Sequence, residues 1–224
     1  MQEVRIYFNK TDTAKYISHL DLMRTVTRAL TRAKIPLWYT EGFNPHPFLT
    51  FALPLSLGVE SYCESFDIRV VGEITNEQIK EKLNAVLPEG LEVTAVSDTF
   101  MKVNDIAFAE YSAEFEFDEK GRAAEYEKQI SALLSADELI TTKKAKKKGR
   151  KIDVEVNLKD FIREYSIRSD EDNVYLDITL CAGNSKNLNP TVLFERLNRD
   201  LAVIPDLTHI KKHRLLTENG EQFK

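Results

Sequence analysis

Val4-Arg5-Ile6-Tyr7-Phe8 alternates between apolar and polar positions, the period of a half-buried strand. From about Ser18 to Lys34 the period lengthens. Leu22, Met23, Val26, Ala29, Leu30 and Ala33 recur at three- and four-residue steps, which predicts a helix with one apolar stripe. Ser18 and Asp21 have the spacing of an N-terminal cap, and Pro36 ends the helix. Tyr39–Pro47 is rich in turn formers and predicts a loop. Two strand-like runs follow, Phe48–Leu57 and Ser65–Val71, split by Gly58. A helix over Thr75–Leu87 buries Ile79, Leu83, Val86 and Leu87, and after Pro88-Glu89-Gly90 a strand covers Leu91–Val96. The order is β-α-β-β-α-β, the ferredoxin-like arrangement.

The second half repeats part of this pattern. Phe66-Asp67-Ile68-Arg69-Val70 is similar to Leu176-Asp177-Ile178-Thr179-Leu180, and Glu81-Lys82-Leu83-Asn84 to Glu195-Arg196-Leu197-Asn198. Ser112–Phe117 supplies a first strand and Ala123–Leu134 a first helix. An α+β protein of tandem ferredoxin-like halves with antiparallel sheets is expected, over residues 1–98 and 110–224, with an insertion within Ala182–Asn189.

At 224 residues, 42% hydrophobic and 30% charged, the chain has the balance of an ordinary folded protein, and disorder is excluded as its dominant state. No run approaches the roughly 18 apolar residues of a membrane span, and the N-terminus lacks the apolar stretch of a signal peptide. A cytoplasmic, reduced setting is expected. Cys63 and Cys181 are too far apart to hold a cluster unaided. His209 and His213 would suit a metal on a helix, but their neighbourhood alternates like a strand. No metal site and no cofactor of the chain's own is expected.

Net charge is −5, yet the charges are segregated. Residues 1–50 hold seven Lys/Arg against four Asp/Glu, and residues 143–151 hold seven cations and no acid. Arg24, Arg28 and Arg32 recur about every helical turn, roughly 6 Å of rise, near the phosphate repeat of an extended strand. Tyr16, Trp38, Tyr39 and Phe43 flank them and can stack bases, and Lys15 adds a cation. Lys143, Lys144, Lys146, Lys147, Lys148 and Arg150 predict a loop or hairpin tip that meets phosphates without sequence preference, or merely solubilises. Gly183–Pro190 precedes a helix and reads as an anion nest or a plain loop and cap.

His19 stands at the first turn of its helix and His46 between two prolines. Two histidines with arginines nearby can run metal-independent acid–base cleavage of RNA. Alternatively Ser18 and Asp21 cap the helix, His19 satisfies a backbone carbonyl, and Asn44-Pro45 shapes a turn.

Lys15-Tyr16-Ile17-Ser18-His19-Leu20-Asp21, then Arg24, Arg28-Ala29 and Pro36, then Glu41-Gly42-Phe43-Asn44-Pro45-His46-Pro47, Phe51-Ala52 and Leu57-Gly58 together resemble a bacterial radical-SAM-linked domain family of unknown function. The resemblance implies a separate or fused radical SAM protein as partner and no established reaction. Three closely spaced thiolates are missing here, so this chain is not itself that enzyme. The function expected is an accessory module that binds RNA or presents a substrate to the radical SAM protein. The alternatives are a Cas6-like RNA endonuclease and a protein-interaction adaptor without nucleic acid.

Overall fold

The computed structural model describes residues 1–147, 150–184 and 186–224, and for residues 143–147 and 150–152 the backbone alone. It is a mixed α/β structure whose sheet is mostly antiparallel with one parallel pair. The chain divides into two compact units, Met1–Ile106 with Lys211–Lys224, and Ala107–Ile210. Among the described residues, no helix is long and apolar enough to cross a membrane.

The first unit contains β1 (Gln2–Lys10), α1 (His19–Arg32), β2 (Leu49–Phe51), β3 (Val59–Val70), α2 (Asn76–Asn84) and β4 (Leu91–Asp98). Its strands run β4-β1-β3, antiparallel, and β2 lies on the outer edge of β3. Val4, Ile6, Phe8, Phe66 and Ile68 pack under Leu22, Val26, Leu30, Ile79 and Leu83. The periodicity of α1 is thus the periodicity of its buried face. Thr75 caps α2 through a capping box with Gln78.

The expected strand Phe48–Leu57 shrinks to Leu49–Phe51, since Pro54 lacks the N–H a ladder needs. The strand expected at Ser65–Val71 instead spans Val59–Val70, its first half hidden in the polar run Glu60–Glu64. Because β2 covers only Phe66–Ile68 of this long strand, the rest of its edge takes another, β10 (Leu207–Thr217). The expectation of wholly antiparallel sheets is corrected here, since one pair in the sheet is parallel.

On the sheet face away from the helices, alternation brings Arg5 beside Asp67. Near the end of β1, Lys10, Glu64 and Lys212 are buried together. Glu64 accepts from Ser61 and pairs with Lys212. Burial pushes the Lys10 ammonium below its ordinary pKa and the Lys212 charge adds to this, against the opposing pull of Glu64. Lys10 Nζ donates to the Lys15 carbonyl at 3.1 Å. The buried lysine therefore holds the segment that leads into α1.

The second unit contains β5 (Ile106–Glu116, from Ala107 on), α3 (Arg122–Ser135), β6 (Ile140–Lys147), β7 (Arg150–Asn157), β8 (Ile162–Ser169), β9 (Asn173–Cys181) and α4 (Pro190–Asn198), with the start of β10. Its strand order is β10-β5-β9-β8, and β6 and β7 form a separate two-stranded sheet. Phe115 packs against Tyr126 and Phe194, ring centroids 5.2 and 5.5 Å away. The Tyr126 hydroxyl, its pKa raised by burial, donates to Asn198 at 2.7 Å.

Candidate functional site

A short 3-10 turn, Asp12–Tyr16, delivers the chain to Ser18. Its end is tied down twice, because the Lys15 carbonyl accepts from Lys10 Nζ and from the Gly58 N–H at 2.9 Å. Leu57 is thereby held beside Lys15 and Tyr16. Tyr16 is 65% exposed, Leu20 63% and Leu57 59%. Leu20 is out of phase with the buried stripe of α1. That phase was the signal in the sequence that it faces outward; nothing local marked Leu57.

Ser18 caps α1. Its hydroxyl accepts from the Asp21 N–H at 3.2 Å and donates to the Asp21 carboxylate at 2.7 Å, while Arg24 donates to the same carboxylate at 2.9 Å. The Ser18 hydrogen bond, followed by that of Arg24, holds the Asp21 carboxyl below its ordinary range. Both residues thus act as helix cap. His19 is half-buried with its ring edge-on to Phe51, centroids 5.3 Å apart, at the margin of the Phe8–Phe51–Phe66 cluster. Its ring nitrogens have no hydrogen-bond partner among the described residues.

Tyr39 bridges Pro47, and the Thr40 N–H donates to the His46 carbonyl at 2.9 Å. These contacts close a loop over Glu41, Gly42, Phe43, Asn44 and Pro45. The His46 Nδ1 lies 3.1 Å from the Thr40 hydroxyl and 3.2 Å from the Asn44 carbonyl. It is therefore engaged inside the loop, and Nε2 has no hydrogen-bond partner among the described residues. No contact joins the His19 and His46 rings among the described residues. Phe43, at the loop tip, is 107% exposed, and Tyr39 is also exposed.

The arginine stripe divides into three roles. Arg24 forms an exposed pair with Asp21, of the kind that contributes little to stability. Arg32 Nη2 donates to the Val86 carbonyl at 2.9 Å and so locks α1 to the end of α2. Arg28 is exposed and has no acidic partner among the described residues. Lys15 is committed to Glu60 at 3.1 Å and lies over the Tyr16 ring. Trp38 is occupied in the same way, since Arg69 stacks over its ring and over Phe48.

In the second unit, the backbone of Lys143, Lys144, Lys146, Lys147 and Arg150 belongs to the β6–β7 hairpin, where Lys147 pairs with Arg150. Lys148 and Gly149 lie outside the described residues, as does Ser185. The run Gly183–Pro190 behaves as loop and cap. Gly183 N donates to the Lys186 carbonyl, and the Asn189 side chain takes the Thr191 N–H at 2.9 Å with Pro190 at the first helical position. His209 lies on β10, 3.0 Å from Glu116. Among the described residues no three His, Cys, Asp or Glu side chains converge as metal ligands.

A family described as an uncharacterized protein conserved in bacteria (DUF2344) matches residues 3–190. None of the curated proteins compared with the chain matches it. Among solved structures, a chain of a Cbf5-Nop10-Gar1 complex superposes with a TM-score of 0.50 at 8% identity, covering 95% of this chain and 48% of that one. The present chain thus spans about half the length of that relative, and the likeness concerns the fold alone. An unknown protein from Galdieria sulphuraria aligns over 94% of this chain and 96% of its own at 11% identity, but its TM-score of 0.26 carries no argument.

Proposed function

This chain belongs to DUF2344, the family of uncharacterized proteins conserved in bacteria, and on that premise we propose that it is an accessory module that binds single-stranded RNA. The observation that carries this is the exposure of Tyr16 and Phe43 together with an exposed Arg28 that has no acidic partner among the described residues, all in one unit. Large apolar side chains left in water forgo the stabilisation that burial gives, about 1.5–3 kcal/mol each. Rings held that way on well-anchored turns suit base stacking, and a free guanidinium suits a phosphate.

The division of labour with a separate radical SAM protein rests on the resemblance of the motif blocks. It is supported by Cys63 and Cys181 belonging to different units, since a cluster needs several thiolates in one place. We further infer that both units are ferredoxin-like. The orders β4-β1-β3-β2 and β10-β5-β9-β8, with a helix after the first and third strand of each, support that reading. The β6–β7 hairpin is then an insertion in the second.

The test is fluorescence anisotropy with a labelled 12-nucleotide pyrimidine RNA at about 50 mM salt. Tyr16→Ala and Phe43→Ala each weaken binding by roughly 5- to 100-fold, the loss of one base stack. Arg28→Ala reduces the salt slope by about 0.7–1. Absence of binding at low salt, or equal affinity in all three variants, contradicts the proposal. Shortening of the RNA without metal would favour the endonuclease reading instead.

A further inference from the structure

We propose that the sheet face of the first unit opposite α1 and α2 carries a second binding site, one for a planar nitrogen heterocycle of nucleobase size. Alternation along β1 sends Val4, Ile6 and Phe8 into the helix-covered core and Arg5 and Tyr7 to the other face. In register, Tyr7 lies between Ser65 on β3 and Ala95 on β4. Ala95 is small, and over it opens a cavity of about 400 Å³ with Tyr7, Tyr62, Phe100 and Phe223 among its walls. That volume is within the range of small-molecule sites, roughly 300–1,000 Å³.

The walls are held before any ligand arrives. Phe223 is buried, its N–H donates to the Leu215 carbonyl at 2.8 Å, and Arg5 lies under its ring 4.5 Å from the centroid. Tyr62 is parallel to the His213 ring, 4° between planes and 6.4 Å between centroids. Ser97 is tied to the Asp98 carbonyl and still has acceptor capacity.

The chemistry of the lining selects the ligand class. Four aromatic rings favour a flat partner with an extended π-face over a sugar or a branched aliphatic group. The Tyr7 hydroxyl is buried beside the Arg5 guanidinium. Ser97, Thr94 and Gln222 offer further polar groups to the edge of such a ring. The buried guanidinium beneath the floor is already committed, and Lys224 is the charged residue among the walls. Arg5 spends Nε and Nη2 on Asp67 and Nη1 on the Lys224 carbonyl. Flat and edged with hydrogen-bonding atoms is the description of a nucleobase.

This site does not depend on the RNA surface around Tyr16 and Phe43, and the two are tested apart. Adenosine, cytidine and uridine are titrated into the full chain and followed by saturation-transfer NMR and calorimetry. At least one nucleoside binds at or below about 1 mM. Ala95→Leu, which fills the floor from an exposed position, abolishes the signal. Phe100→Ala, at a residue 80% exposed and so harmless to folding, weakens it by about 5-fold or more. Anisotropy with the pyrimidine RNA stays unchanged in Ala95→Leu. No binding of any nucleoside at millimolar concentration, or binding that survives both Ala95→Leu and Phe100→Ala, overturns the proposal.

Discussion

Replacing Asp67 with alanine is expected to destabilise the protein by about 3–5 kcal/mol, the cost of leaving a buried charge without its partner. The Arg5 side chain is 0% exposed, and its guanidinium meets the Asp67 carboxylate through two parallel bonds of 2.7 and 2.8 Å. Burial pulls the Arg5 pKa down, but the hydrogen bond and charge of Asp67 more than reverse this and hold it above its ordinary value. An arginine cannot shed its proton to escape, so in the variant the positive charge remains in a dry site. Chemical denaturation should show the loss, with a fall in Tm of roughly 6–20 °C for a chain of this size. The double replacement Arg5→Met with Asp67→Leu should recover most of it, because two apolar side chains need no partner. A loss under about 1 kcal/mol in the single variant contradicts a dry, paired Arg5.

The second large effect links the fold to the motif surface. Gly90 has φ +80°, and a Cβ there would stand 2.6 Å from the Thr11 carbonyl oxygen and 2.8 Å from the Ala14 Cβ. The Thr11 N–H also donates to the Gly90 carbonyl at 2.9 Å. Gly90→Ala therefore combines left-handed strain with a clash against the turn that carries Lys15 and Tyr16. A loss on the order of 2–4 kcal/mol is expected, with weaker RNA binding because Tyr16 is displaced. Gly72→Ala is the control. Its φ is +78° and nothing lies within 4 Å of its Cβ, so strain alone acts, about 1 kcal/mol, and RNA affinity is unchanged. Equal effects of the two variants on binding would show that the Asp12–Tyr16 turn does not position the surface.

What was legible in the sequence was what neighbouring residues decide. The stripe of α1, its Ser18 cap and the alternation of β1 are local patterns, and the observed elements follow them closely. The length of β3 was not legible, because Glu60, Ser61 and Glu64 read as surface and are held only by pairing and by Lys212. The lysine run read as a loop or hairpin tip, but the strands that flank it, Ile140–Lys147 and Arg150–Asn157, were not legible. At the candidate site the division was the same. The Ser18–Asp21–Arg24 contacts span one helical turn and could be foreseen. The withdrawal of Arg32 by Val86, of Lys15 by Glu60 and of Trp38 by Arg69 depends on residues brought together by the fold. Three apparently equivalent arginines thus became one cap partner, one unpaired group and one strut.

The central claim is that RNA lies on the motif surface of the first unit, and zero-length ultraviolet crosslinking tests it most directly. The intact protein is irradiated with a uridine-rich RNA, digested, and the crosslinked peptides are identified by mass spectrometry. The expected crosslinks fall on Tyr16, Tyr39 or Phe43, and they disappear at high salt as phosphate contacts weaken. Crosslinks confined to the second unit, or none at all at low salt, contradict the claim.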